Sequence, residues 1–168
     1  MYSLNSYAID NQKFFIEKNK ELYRGVKMNI SSLLSYERAK NEIIVLTSFT
    51  SMSTEKLVAE KFSNKNKKPD QFSVIFFIKN LYEDDWISNG VDIHELSKYK
   101  KEKEVLFHPF SFYIIKDVTI DINNLKAEIF LETIGKKEIL EKEIQIGKYV
   151  KYNKDFNIVE SVNSLSSN

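Results

Sequence analysis

The chain has 168 residues, 42% hydrophobic and 13% aromatic, enough to bury one core and too apolar for a disordered tail. It has no cysteine, which excludes disulfides, thiolate nucleophiles and Cys-ligated zinc, and its two histidines would need carboxylates to complete a metal site. A net charge of +1 argues against a strongly electropositive nucleic-acid surface, no apolar run approaches a membrane span, and the start lacks a signal-peptide layout.

In chain order, Asn5 to Lys18 is expected to be a helix, with apolar residues at Tyr7, Ala8, Phe14, Phe15 and Ile16. Glu21 to Val26 follows as a short strand. Ser31 or Ser32 is predicted to cap a helix through Leu33, Leu34, Tyr36 and Ala39. The β-branched run from Ile43 to Phe49 reads as a buried strand. Thr50 to Glu55 is predicted to open a helix through Leu57, Val58, Ala59 and Phe62, with Ser53 as cap. The Lys-rich segment SNKNKKPDQ (63–71) is a polar connector, and Phe72 to Ile78 a strand with both faces apolar. Asp92 and Glu95 form a capping-box pattern over one helical turn.

From Glu102 onward the sequence is β-rich, with strands expected at 102–107, 110–121, 125–134 and 143–152. Turns at His108-Pro109, Asn123-Asn124 and Gly135-Lys136 separate them. Residues 1–160 are expected to form one domain and 161–168 a frayed tail. The order predicts an α+β fold: two packed, mainly antiparallel β-sheets with helices at the N-terminal side.

Three places have residues suited to chemistry. Of the 25 basic residues only Arg24 and Arg38 are arginine, and glycine occurs just four times, so the adjacent Arg24-Gly25 is distinctive. A guanidinium can grip a phosphate with two bonds, and a glycine backbone admits a close ligand; the alternative is a surface arginine beside a turn. Ser51 and Ser53 could bond a ligand or a carboxylate, or simply cap a helix and satisfy backbone. Glu102 and Glu104, two apart on one strand, would project to one face with Cα atoms roughly 6.5–7 Å apart. Paired carboxylates suit a reaction that develops positive charge at a sugar carbon; calcium ligation or a solvated edge are the alternatives. His94 and His108 lack partners at ligand or triad spacing and read as ordinary polar positions. Trp86 reads as a packing anchor.

Taken in order, Tyr23-Arg24-Gly25, Phe49-Thr50-Ser51-Met52-Ser53 and Glu102-Lys103-Glu104 resemble the arginine–serine–glutamate group of mono-ADP-ribosyltransferases. That group includes arginine-modifying ecto-enzymes and several bacterial toxins. The flanks Val91-Asp92-Ile93, Leu96-Ser97-Lys98-Tyr99 and Glu104 through Pro109 resemble it too.

The resemblance implies NAD as co-substrate, with no metal. Arg24 would hold the NAD diphosphate and the Gly25 backbone the nicotinamide amide. Ser51 would steady Glu104 and the nicotinamide-side ribose, with Ser53 also at the cofactor. Phe62 would either lie against nicotinamide or pack in the core. Glu104 would stabilise the ribosyl oxocarbenium, and Glu102 would orient the acceptor and help remove its proton. Relatives acting on Asn or Gln carry Gln at the earlier position, so Glu102 implies an arginine acceptor on a target protein. Tyr99 would be either a contact to that protein or an ordinary surface residue.

Met52 departs from the hydroxyl or amide common at its position, which implies weaker positioning there. The Lys-rich loop lacks a second phosphate-binding arginine, leaving Lys65, Lys67 or Lys68 as point charges. No stable nucleic-acid partner is expected. The N-terminal helical region is short, which fits a longer parent protein; a monomer or one domain of a larger protein is expected, with residence in the cytoplasm and delivery into a host cell both open. An NAD glycohydrolase, transfer to another residue or to nucleic acid, and a catalytically silent β-rich binding module are the alternatives; the last would be expected to lose Arg24, Ser51 or Glu104.

Overall fold

A computed structural model describes residues 14–82, 90–135, 138, 148–152 and 158–163, the last two segments as strands. The elements are β1 (Glu21–Met28), α1 (Ile30–Arg38), β2 (Ile43–Leu46), β3 (Thr50–Ser53), α2 (Lys56–Asn64), β4 (Phe72–Lys79), β5 (Gly90–Asp92), β6 (Glu104–Phe107), β7 (Ser111–Asp121), β8 (Lys126–Thr133), β9 (Lys148–Tyr152) and β10 (Ile158–Asn163). A 3-10 turn, Lys100–Glu102, precedes β6. Most of the expected N-terminal helix, Trp86 and Lys136 lie outside the described residues. Ser161, Val162 and Asn163 belong to β10, and residues 164–168 lie outside the described residues.

The fold is α+β, as expected. Eight strands share one hydrogen-bonded order, β2-β7-β8-β4-β1-β3-β6-β5, and β9 and β10 form a separate pair. All pairings are antiparallel except β4 with β8. The large sheet is strongly curved. Phe107 on β6 and Tyr113 on β7 lie five strand positions apart, about 24 Å in a flat sheet, yet their ring centroids are 5.8 Å apart. Curvature of a single ladder thus produces the facing layers for which two sheets were expected.

The core fills the inside of that curve. Leu22, Leu33, Tyr36, Val74, Ile78, Val105, Phe107, Tyr113, Ile115 and Ile129 are fully buried there. On the opposite side of β1, helix α2 packs against the strand, which explains why β4 is apolar on both faces. Gly25 makes that contact possible. A Cβ on it would stand 1.7 Å from the Ala59 carbonyl oxygen, so strand and helix backbones meet with no room for a side chain.

Three local expectations change. Asn29 caps α1, its Oδ1 accepting from the Ser32 amide and from the hydroxyls of Ser31 and Ser32. Thr50–Ser53 is a strand and not the opening of a helix, because it pairs along β6 from Thr50 with Phe107 to Ser53 with Glu104. The Asp92 cap forms, its Oδ1 accepting from the His94 amide at 2.9 Å, but Glu95 turns instead to His94 and Lys100. No helix among the described residues is long and apolar enough to cross a membrane.

Candidate active site

Strands β1 and β3 meet at a single register pair, Tyr23 with Ser53. Beside that pair lies a cavity of about 270 Å³ lined by Tyr23, Arg24, Gly25, Ser51, Met52, Ser53, Val58, Ala59, Phe62, Glu102 and Glu104. All three sequence motifs therefore border one space. Arg24 reaches across, its Nη1 donating to the Ser51 carbonyl at 2.5 Å. On its other side Arg24 borders an apolar cavity of about 170 Å³ whose walls include Tyr36, Leu46, Phe76 and Ile78. Burial draws its guanidinium below the usual value, while Tyr113 and Tyr36 act in the opposite direction.

The two carboxylates reach the cavity by a route different from strand alternation. Glu102 ends the 3-10 turn, Lys103 adopts a left-handed conformation at φ 42°, and β6 starts only at Glu104. A left-handed lysine is costly, and three contacts of its own hold it. Its amide donates to the Lys100 carbonyl at 3.2 Å, and its own carbonyl accepts from the Thr54 amide at 3.3 Å. Its Nζ pairs with Glu55 at 2.6 Å, a bond that keeps the Glu55 carboxyl below its ordinary value. Ser53 Oγ donates to the Glu102 carbonyl at 2.6 Å and accepts from the Glu55 amide at 3.0 Å. Glu55, and not Ser53, is the N-cap of α2 and makes no side-chain cap bond, so the Ser53 hydroxyl instead ties the Glu102 turn to the β3–α2 junction.

The remaining candidates divide. Phe62 lines the cavity and is 44% exposed, so it is not a core side chain. Met52 is buried, stands opposite Val105 in the β3–β6 register, and borders both the site cavity and the neighbouring apolar one. Tyr99 is exposed and stands just before the 3-10 turn, outside the cavity lining. Lys65, Lys67 and Lys68 do not line it either, and Lys67 Nζ is turned to the Gln71 carbonyl. His94 pairs with Asp92 at 2.6 Å and His108 lies on Phe49, both away from the cavity. Among the described residues no cluster of three or more His, Asp or Glu side chains is arranged to hold a metal ion.

One relationship differs from what the resemblance implies. Among the described residues the Ser51 hydroxyl makes no hydrogen bond to Glu104; Ser97 Oγ donates to Glu104 Oε2 instead, at 3.1 Å. Ser97 was visible in the sequence only as part of a flanking run, seven residues before its partner, and nothing local marks such a pairing.

The model of the family described as NAD:arginine ADP-ribosyltransferase matches residues 12–138. The chain belongs to that family.

No curated protein sequence matches. Among solved structures, the Vis toxin, an ADP-ribosyltransferase from Vibrio splendidus, is similar at 28% identity with a TM-score of 0.61, over 88% of this chain and 58% of Vis. Vis in complex with agmatine matches at 25% identity and TM-score 0.61, over 88% of this chain and 60% of that one. HopU1 of Pseudomonas syringae pv. tomato shares the fold, with TM-score 0.61 at 18% identity over 78% of this chain and 51% of HopU1. The chain thus spans about three fifths or less of the length of these ADP-ribosyltransferases.

Proposed function

We propose that this chain cleaves NAD at the nicotinamide–ribose bond and transfers ADP-ribose to an arginine side chain of a target protein. The observation that carries this reading is the shared cavity of Arg24, Gly25, Ser51, Glu102 and Glu104 in a chain of this family. The donor set fits NAD: one guanidinium for an anionic diphosphate, a backbone without a Cβ, and carboxylates where cationic charge would develop.

NAD supplies an activated glycosidic bond whose leaving group, nicotinamide, departs neutral. Arg24 grips the diphosphate, and the Gly25 backbone bonds the carboxamide while Phe62 covers the ring. Ser51 and Ser53, at the same wall, frame the nicotinamide-side ribose. Glu104 bonds the ribose and stabilises positive charge at its anomeric carbon as the bond to nitrogen breaks. Glu102 pairs with the incoming guanidinium and accepts its proton as the new carbon–nitrogen bond forms. A guanidinium keeps its proton at neutral pH, so a carboxylate must orient it and take that proton. Tyr99, exposed before the turn that carries Glu102, contacts the target protein.

The arginine assignment is supported by Glu102 and by similarity to Vis, solved with agmatine, a guanidinium compound. Incubation with labelled NAD and a mixed protein acceptor tests it. Label that neutral hydroxylamine releases supports an arginine linkage; label that survives such treatment rejects it. Nicotinamide release without any label on protein points instead to NAD hydrolysis.

A further inference from the structure

We propose that Ser97 is the positioning residue for Glu104, the hydroxyl that aims the carboxylate at the ribose; the assignment rests on the reading of the site given above. The segment Ile93–Ser97 grips Glu104 at both ends. The Ile93 amide donates to the Glu104 main-chain carbonyl at 3.0 Å, and Ser97 Oγ donates to its carboxylate at 3.1 Å. That segment is itself a closed turn, because the amides of Leu96 and Ser97 both bond the Ile93 carbonyl at 2.9 Å. The hydroxyl therefore comes from a fixed backbone.

Orientation matters for this side chain in particular. A glutamate has three rotatable bonds, and a carboxylate left to wander among rotamers forfeits part of the effective concentration a site supplies. Among the described residues Ser51, which lines the same cavity, makes no hydrogen bond to the Glu104 carboxylate.

Ser97 does a second thing with the same oxygen. Its Oγ accepts from the Tyr99 amide at 3.2 Å, at the start of the turn that delivers Glu102. One hydroxyl thus joins the carboxylate that works on the ribose to the segment that presents the carboxylate for the acceptor.

The test is steady-state nicotinamide release from NAD by the wild-type chain, Ser97→Ala and Ser97→Thr, with thermal unfolding measured alongside. Ser97→Ala is expected to lower kcat about tenfold while KM for NAD moves less than about twofold, since diphosphate and carboxamide binding do not use Ser97. Ser97→Thr keeps the oxygen and is expected to stay within about threefold of wild type. Wild-type kcat in Ser97→Ala overturns the assignment. Equal losses in both variants overturn it too, because the loss would then follow loop packing and not the hydroxyl. A wild-type chain that leaves NAD intact overturns the functional reading beneath it, and with it this proposal.

Discussion

The Ser53 hydroxyl donates to the Glu102 main-chain carbonyl at 2.6 Å while accepting from the Glu55 amide at 3.0 Å. A single buried oxygen thereby joins the end of β3, the start of α2 and the turn that carries the earlier carboxylate. Ser53→Ala removes a donor and an acceptor together, at a local cost of about 1–3 kcal/mol. Because the turn holds Glu102 and not Glu104, the ratio of arginine transfer to NAD hydrolysis is expected to fall more than hydrolysis itself. Paired assays of nicotinamide release and acceptor labelling check this; an unchanged ratio would show that the turn keeps its shape without Ser53.

Gly25→Ala is expected to be severe for a packing reason independent of any ligand. The added Cβ would overlap the Ala59 carbonyl, and backbone cannot rotate aside as a side chain can. Overpacking of this kind costs about 3 kcal/mol or more, which in a chain of this length lowers Tm by roughly 6–12 °C. Calorimetry measures it. A Tm within a degree or two of wild type would mean that α2 can ride away from β1 cheaply.

His94 supplies a pH prediction. The hydrogen bond that the His94 ring donates to Asp92 raises its pKa above the ordinary 6.5, with smaller support from the charges of Asp92 and Glu95. The folded state therefore binds this proton more tightly than the unfolded state does. Its contribution to stability is fully present below pH 6.5 and is lost as pH rises through the higher folded value. With only two histidines, NMR titration resolves each. Asp92→Asn should lower the His94 midpoint; a wild-type midpoint at or below 6.5 contradicts the pairing.

Much of this site was legible in the sequence because its rarest residues mark it. Arg24-Gly25 stands out where arginine and glycine are scarce, and Glu102-Lys103-Glu104 pairs two acids before an apolar strand. The illegible parts are all tertiary. Thr50–Ser53 carries cap residues and reads as a helix start, yet pairing with β6 outweighs that local preference. Lysine gives no hint of the left-handed backbone at 103, so sequence spacing puts the two acids on one strand face, whereas a turn brings them together. Ser97 meets Glu104 only through a fold that no local pattern announces.

Nicotinamide release and transfer to a free guanidinium acceptor, followed together in wild type, Glu104→Gln and Glu102→Gln, bear most directly on the site. Glu104→Gln is expected to lower nicotinamide release by about 100-fold or more, and Glu102→Gln to lose transfer while keeping NAD hydrolysis within about tenfold. Retained turnover in Glu104→Gln, or parallel loss of both activities in Glu102→Gln, would contradict the division of labour between the two carboxylates.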